Sequence, residues 1–318
     1  MQYIQLRPSD RKINLLAGFA KFGFLSFDEA CAIQCGNIKT TRSDLAYLFR
    51  QGLLAKRKIT GFRPDIIFIT KKGVSFVSAH FETGVRHHAD YAKTSMGRRV
   101  HRMYTANIML ARRLQITARR LEKTVNTSAN SVDAISKVNR LLARVSLISE
   151  LDFYVDKARY TCKGKLADGL IMTRSTDPNE PAAVTWIENE KTPKGQKQFR
   201  HLATFLTGIR LDKSQAIQGN RASQMLASIQ LLHGAAQLRN VLFYVNTSPR
   251  GAGDFESRLK NRLDDETYDY LTSMQFIKFI PYALSDYLHH KTPTASVIAS
   301  SAYLDKNFSL VFDPNSNC

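Results

Sequence analysis

Two apolar segments of the chain carry acidic residues where a core would be expected, KLADGLIM (165–172) and VTWIENEK (184–191). Side chains two apart on a strand share a face, so Glu188 and Glu190 point the same way. If Asp168 lies opposite them on the neighbouring strand, three carboxylates converge at one place. Such a cluster requires protons or hard divalent cations to neutralise it, which predicts paired strands that hold Mg²⁺ or Mn²⁺.

A purely structural role is the alternative. Asp168 could cap a turn, and the two glutamates could face solvent from an edge strand. Leu166, Leu170 and Trp186 share the faces of the acids, which argues against a wholly wet surface.

The distribution of charge divides the chain into two parts. The formal net charge is +19, of which residues 1–146 carry +17 and residues 147–318 carry +2. Lys and Arg side chains that neutralise phosphates supply most of the sequence-independent affinity for nucleic acid. The first half is therefore predicted to bind double-stranded DNA, the alternatives being a merely basic soluble protein or contact with acidic lipid.

Length and hydropathy limit the class of protein. A chain of 318 residues can form two domains. No run of eighteen apolar residues occurs, and the amino-terminal segment has no apolar signal region. We expect no membrane span and a cytoplasmic location, in keeping with four scattered cysteines that indicate reduced thiols.

The first eighty residues predict helix, helix, helix, strand, strand and helix. The segments are RKINLLAGFAKF, SFDEACAIQ, TTRSDLAYLFRQGLL, AKRKI, DIIFIT and KKGVSFVSAH. This order resembles a winged-helix domain of the helix-turn-helix class, here residues 1–82, whose third helix enters the major groove while the hairpin contacts backbone. A small helical domain for protein contacts is the alternative.

The winged-helix resemblance implies two sets of DNA contacts. The recognition helix would carry Thr40, Thr41, Arg42, Ser43 and Arg50. The wing would carry Lys56, Arg57, Lys58 and Arg63.

Residues 83–146 are predicted to form a basic helical linker. A long helical pattern over 96–123 is rich in arginine but lacks a sustained coiled-coil seam. We expect a spacer helix that lies along phosphates. Its predicted contacts are Arg98, Arg99, Arg102, Arg112 and Arg113.

Residues 147–318 predict an α/β or α+β core with a mixed sheet. LDFYVDK, KLADGLIMT and AAVTWIENEK are expected to form a three-stranded meander, followed by the helix GQKQFRHLATFLTGIR and the strands NVLFYVN and QFIKFIPYAL.

The acidic pattern resembles the PD-(D/E)xK motif of restriction-endonuclease-like nucleases. In that resemblance Asp168 is the first acid, Ala167 replaces the usual proline and Glu188 is the second acid. Asp168 and Glu188 would bind the metal. Glu190 occupies the place usually held by lysine, as in the Glu-x-Glu members, where the last glutamate is proposed as general base.

Three further residues complete the implied site. Lys191 or Lys194 would supply the missing positive charge. Glu150, before the first strand, resembles the additional glutamate that such nucleases bring from a preceding helix.

Together, the two halves resemble plasmid replication-relaxation proteins and MobC-type relaxases over most of residues 10–210. This resemblance implies nicking or relaxing of DNA at a transfer or replication origin, alongside other mobilisation proteins. One site per chain favours a single-strand nick, and double-strand cleavage would require a homodimer or repositioning.

Two other functions stay open from the residues alone. Tyr154 and Tyr160 lie near the acids, but no histidine triad follows for a tyrosine relaxase. A non-catalytic replication initiator or transcriptional regulator would use the winged helix without cleavage.

Overall fold

The computed structural model describes residues 9–34, 38–58, 65–81, 94–122, 140–155, 167–190, 195–214, 230, 234–246, 255–282, 303–304 and 310–311. Helices and sheets are mixed, as predicted for the fold class. The chain divides into two compact units, Met1–Leu141 with Leu288–Cys318, and Leu142–Tyr287. No helix in the described ranges is both long and apolar enough to cross a bilayer.

Helices and strands follow one another in the first unit in nearly the predicted order. They are α1 (Asp10–Phe22), β1 (Phe24–Leu25), α2 (Phe27–Gln34), α3 (Ile38–Arg50), β2 (Leu54–Arg57), β3 (Ile66–Ile69), α4 (Lys71–Phe81) and α5 (Met96–Glu122). The predicted helices and the β2–β3 hairpin are confirmed. Strand β1 was not predicted, because two residues are too short to carry a hydrophobic period.

The sheet of the first unit has the strand order β1-β3-β2, with both pairs antiparallel. Gly52, with φ 65°, allows the chain to turn from α3 into β2. Leu15, Leu16 and Phe19 of α1 are fully buried in the core of this unit.

A buried glutamate fixes the start of α2 and its contact with α5. Glu29 accepts hydrogen bonds from the backbone N–H of Ser26 (2.7 Å) and from its hydroxyl, which is a capping box. Its other oxygen accepts from the Asn107 amide of α5 at 2.7 Å. Glu29 and Asn107 are both fully buried.

The arginine-rich helix α5 is not a separate spacer. It packs against α2 and β1 within the first unit. Met103, Tyr104 and Met109 are buried on it. The predicted linker over residues 83–146 is thus corrected for α5, because the apolar residues among its arginines complete the core of the first unit.

The second unit is built around one mixed sheet. Its elements are β4 (Val145–Ser149), α6 (Glu150–Val155), β5 (Gly169–Thr173), β6 (Ala182–Glu190), α7 (Gln196–Ser214), β7 (Ala236–Asn246), α8 (Phe255–Lys260), α9 (Asp265–Ser273) and β8 (Ile277–Tyr282). A short antiparallel pair later in the chain, β9 (Tyr303–Leu304) with β10 (Leu310–Val311), belongs to the first unit.

The five strands lie in the order β4-β5-β6-β7-β8. β4, β5 and β6 are antiparallel, whereas β7 is parallel to β6 and β8 is parallel to β7. The predicted meander is confirmed, but its first strand is VSLIS and not LDFYVDK. LDFYV instead belongs to α6, because Ser149 and Asp152 cap a helix at that point.

One face of this sheet packs against α7, α8 and α9. Trp186, Phe243 and Leu170 contribute from the strands, and Phe199 and Leu259 from the helices. Because strand side chains alternate between faces, Glu188 and Glu190 lie on the same face as Trp186. The two acids therefore lie at the edge of the hydrophobic core of the second unit.

Candidate active site and nucleic-acid interface

The pairing of β5 with β6 brings Asp168 alongside Glu188. Gly169 pairs with Ile187 and Leu170 with Trp186, and Asp168 comes immediately before the first paired residue of β5. The backbone N–H of Asp168 still donates to the Ile187 carbonyl at 3.2 Å. Asn189 also donates its backbone N–H to the Asp168 carboxylate, so Asp168 contacts the β6 backbone on both sides of Glu188.

The Asp168 carboxylate also stabilises the sheet. Its Oδ2 accepts a hydrogen bond from the backbone N–H of Asn189 at 2.7 Å. β6 extends beyond the first residue of β5, so Asn189 has no paired residue on β5. The Asp168 side chain accepts the hydrogen bond that a backbone carbonyl of a neighbouring strand would otherwise accept. This contact holds the carboxylate against β6.

Glu150 lies at the same end of the sheet, but not where the sequence indicated. Ser149 pairs with Gly169 at the end of β4, and Glu150 is the next residue and the first of α6. It thus follows the first strand and does not precede it. The helix starts there because Asp152 Oδ2 accepts from the Ser149 N–H at 2.6 Å, a Ser-x-x-Asp signal present in the sequence.

Glu188 is a buried carboxylate with a specific donor. Its side chain is 1% exposed, and Oε1 accepts from the indole N–H of Trp186 at 2.6 Å. Glu190, two residues further on the same face, is also buried. Neither glutamate faces solvent, because both side chains are buried.

The predicted convergence of three metal ligands is not formed. In the part of the chain that the structure describes, no group of three or more His, Cys, Asp or Glu side chains is arranged to hold a metal ion. Mg²⁺, however, is commonly held by one or two carboxylates, with water and substrate phosphate as the other ligands. Asp168 and Glu188, which are neighbours at this end of the sheet, fit that smaller donor set.

Three predicted basic residues lie outside the described ranges. Lys191, with Lys194, follows β6, and Arg63 belongs to the segment between β2 and β3. The described part of the candidate active site is therefore acidic.

The predicted DNA-binding residues of α3 are divided between its faces. Arg42, Ser43 and Arg50 are exposed, and Thr40 is half-buried. Thr41 is fully buried, and its hydroxyl donates to Gln34 Oε1 at 2.8 Å. Its prediction as a DNA contact is corrected, because the helical period turns it towards α2.

The outer face of α3 has an ordered arginine. The Arg42 guanidinium lies over the Phe27 ring, 5.7 Å from its centroid. Such a cation–π contact restricts the side chain while its donors stay exposed.

The strand β2 presents further cations. Lys56, Arg57 and Lys58 are exposed at the end of β2 and just after it. Lys56 lies 3.6 Å from the Asp65 carboxylate across the hairpin, and both side chains are substantially exposed. This ion pair is therefore worth little.

The arginines of α5 do not form a uniform phosphate track. Arg98 is exposed, and Arg112 and Arg113 are half-buried. Arg99 and Arg102 are each 6% exposed. The prediction that Arg99 and Arg102 contact DNA phosphates is corrected, because packing covers the side of α5 on which they lie.

An unpredicted acid anchors α3. Asp44 is 1% exposed and accepts from Arg11 Nε at 2.6 Å and from Gln34 Nε2 at 2.8 Å. Burial alone raises the pKa of this carboxyl, but the hydrogen bonds outweigh it and hold the pKa below its ordinary value. The sequence signal was an acid on the apolar face that also bears Leu45 and Leu48.

We expect Asp44→Asn to destabilise the protein by about 1–2 kcal/mol at pH 7, since it weakens charge-assisted hydrogen bonds to a half-exposed arginine. The pKa of Asp44 is lower in the folded state than the unfolded-state value of about 3.9. The ionised carboxylate therefore stabilises the fold above that pH, and this stabilisation is lost as the pH falls through the folded-state pKa. The difference between wild type and variant should therefore shrink at pH 3. Urea unfolding at both pH values measures it.

The matched control is Asp65→Asn, whose ion pair is exposed, and it should change stability by less than about 0.5 kcal/mol. A deficit of Asp44→Asn that is equally large at pH 7 and pH 3 would contradict the electrostatic role of Asp44.

Comparison with known proteins adds no assignment to this geometry: no family model, curated protein or solved structure matches the chain.

Proposed function

We propose that the chain is a metal-dependent DNA endonuclease that nicks one strand of duplex DNA. The observation that carries this proposal is that Asp168 is hydrogen-bonded to the β6 backbone on both sides of Glu188, at Ile187 and at Asn189, at one end of a mixed sheet. Two carboxylates from adjoining strands suit Mg²⁺ or Mn²⁺ and a phosphodiester.

The first unit supports the DNA-binding half of the proposal. Its order of α1, β1, α2, α3, β2 and β3, with β3 central in the sheet, is that of a winged helix. α3 would then be the recognition helix, with Arg42 and Ser43 exposed on it, and β2–β3 would be the wing.

The second unit supports the nuclease half. An antiparallel meander, a helix and a fourth strand parallel to the third follow in the order β4, β5, β6, α7 and β7. This is the arrangement that a restriction-endonuclease-like core would have. Its acids lie on β6 and immediately before β5, as the PD-(D/E)xK resemblance requires.

Each side chain has a role in the proposed reaction. Asp168 and Glu188 would hold the cation. The bound cation would polarise the scissile phosphate and lower the pKa of a water molecule. Glu190 or Lys191 would orient that water. The winged helix would fix the register on the duplex, because base contacts specify while phosphate contacts position.

The biological substrate follows from the resemblance to plasmid relaxation proteins. The duplex would be a transfer or replication origin, with other mobilisation proteins as partners. One site per chain would give a nick, and only a homodimer or a repositioned chain would cut both strands.

A second candidate function is DNA binding without cleavage. It is favoured by the structural contacts of both acids, because Asp168 accepts from the Asn189 backbone and Glu188 from Trp186. In that case the carboxylates would only complete hydrogen bonds of the sheet and the core.

The discriminating experiment uses a pool of supercoiled plasmids with random inserts. The full chain is incubated with the pool in Mg²⁺, in Mn²⁺ or in EDTA, and primer extension maps nicks. We expect nicked circles with either cation and none in EDTA. Gel shifts in EDTA that occur without any nicking would favour the binding function, and the absence of both nicking and binding would reject both functions.

Arg42→Ala should weaken duplex binding by about tenfold or more, since one arginine contact to a base edge is worth about 1–3 kcal/mol. Fluorescence anisotropy with a selected duplex in EDTA measures the affinity without cleavage. Arg239→Ala is the control, because that arginine is exposed at the start of β7. Equal affinities for the wild type and Arg42→Ala would remove α3 from the interface.

A further inference from the structure

The only tryptophan of the chain is bonded to a proposed metal ligand. Trp186 is 2% exposed, and its indole N–H donates to Glu188 Oε1 at 2.6 Å. The two residues are two apart on β6 and therefore lie on the same face. The contact joins the hydrophobic core directly to the acidic end of the sheet.

The indole ring has little freedom to move. It lies 4.7 Å from the Phe205 ring of α7, centroid to centroid, and belongs to the buried cluster of the second unit. Close-packed interiors hold side chains in single rotamers. A donor on such a ring has a fixed position, and so has the carboxylate oxygen that it binds.

A buried carboxylate is an energetically costly acceptor for the Trp186 indole N–H if the hydrogen bond is only structural. A buried indole N–H needs one acceptor, and a backbone carbonyl would satisfy it without a charge. Here the acceptor is a carboxylate that is itself 1% exposed. Burying an ionisable group carries a desolvation penalty that an uncharged acceptor avoids.

We propose that Trp186 is a positioning residue for Glu188 as a metal ligand. The indole holds one carboxylate oxygen and so fixes the orientation of the group that would bind the cation. This inference rests on the proposed function, since it needs a cation at Asp168 and Glu188. Loss of a partner that orients a metal ligand typically lowers metal affinity by about 10- to 100-fold.

The test measures Mn²⁺ binding by the full chain without DNA, from the electron paramagnetic resonance signal of free Mn²⁺. Trp186→Phe keeps an aromatic ring and removes the donor. Phe205→Leu is the matched control, because it loosens the packing around Trp186 but leaves the N–H in place. Circular dichroism and thermal unfolding report on the fold of each variant.

We expect Trp186→Phe to raise the Kd for Mn²⁺ by about 10- to 100-fold. Phe205→Leu should reduce stability but leave the Kd within about threefold, since it keeps the hydrogen bond. Equal Kd values for Trp186→Phe and the wild type, with Glu188→Gln unable to bind, would overturn the inference and leave the proposed metal site intact. A wild type that binds no Mn²⁺ would overturn both.

A second measurement does not depend on the folding of Trp186→Phe. Because Trp186 is the only tryptophan of the chain, tryptophan fluorescence of the wild type reports on the surroundings of this one indole. Trp186 emission should change as Mg²⁺ is added. The Mg²⁺ concentration at half of this change should equal the concentration at which Mg²⁺ displaces half of the bound Mn²⁺. Glu188→Gln should abolish the change. Mg²⁺ that binds without altering the emission would contradict the positioning role.

Discussion

Glu188→Gln is expected to lower metal-dependent nicking about 1,000-fold, which corresponds to about 4 kcal/mol of transition-state stabilisation. The amide keeps the shape of the side chain and an oxygen that accepts from Trp186, but it has no charge to bind a divalent cation. Asp168→Asn should have a similar effect, and its amide oxygen retains an acceptor for the Asn189 N–H. Initial rates of nicked-circle formation in Mn²⁺ measure both variants.

The control is Glu180→Gln, which alters an exposed carboxylate on the connection between β5 and β6. Glu180 accepts from the Ser175 hydroxyl at 2.5 Å, in the turn at the far end of that hairpin. Its variant should nick at the wild-type rate. Full activity of Glu188→Gln and of Asp168→Asn would remove the carboxylates from the reaction, whatever the metal dependence.

Gly73→Ala is expected to destabilise the first unit by about 3 kcal/mol, with a melting temperature roughly 10 °C lower. A Cβ at this position in α4 would lie 2.3 Å from the Leu53 carbonyl oxygen and 2.7 Å from Ile69 Cγ1. The carbonyl is backbone and already accepts from the Thr70 N–H at 3.0 Å, so it cannot rotate away. The first turn of α4 must therefore move off β2.

Thermal unfolding followed by circular dichroism tests this prediction. Gly195→Ala is the control, because nothing lies within 4 Å of a Cβ at that position. It should shift the melting temperature by no more than a few degrees. If Gly73→Ala melts with the wild type, α4 and β2 do not approach as closely as described.

Short-range patterns were sufficient to predict most of the elements. The helices α1 and α3 and the β2–β3 hairpin follow from spacing of apolar residues and from Gly52. The assignment of LDFYV to a strand was wrong because VSLIS and LDFYV are both short apolar runs. Only the Ser149–Asp152 cap separates them, as strand and helix.

The exposure of charged side chains was predicted less well. An arginine-rich helix presents cations on several faces, and only its packing determines which of these side chains stay exposed to solvent. In α5 the core of the first unit takes up one side, and Arg99 and Arg102 are buried while Arg98 is exposed. Asp44 and Glu29 were missed as anchors for the same reason, since their partners come from other helices.

The sequence by itself determined the basic character of the first half, the order of its elements and the shared face of Glu188 and Glu190, because these depend on composition and on the strand period of two. The tertiary structure decided that Asp168 contacts the β6 backbone on both sides of Glu188, that Glu150 follows a strand and that Trp186 donates a hydrogen bond to Glu188. Pairing register depends on how the apolar faces of neighbouring strands pack and on the connection between them, and a slip of one residue would turn every side chain of a strand to the other face.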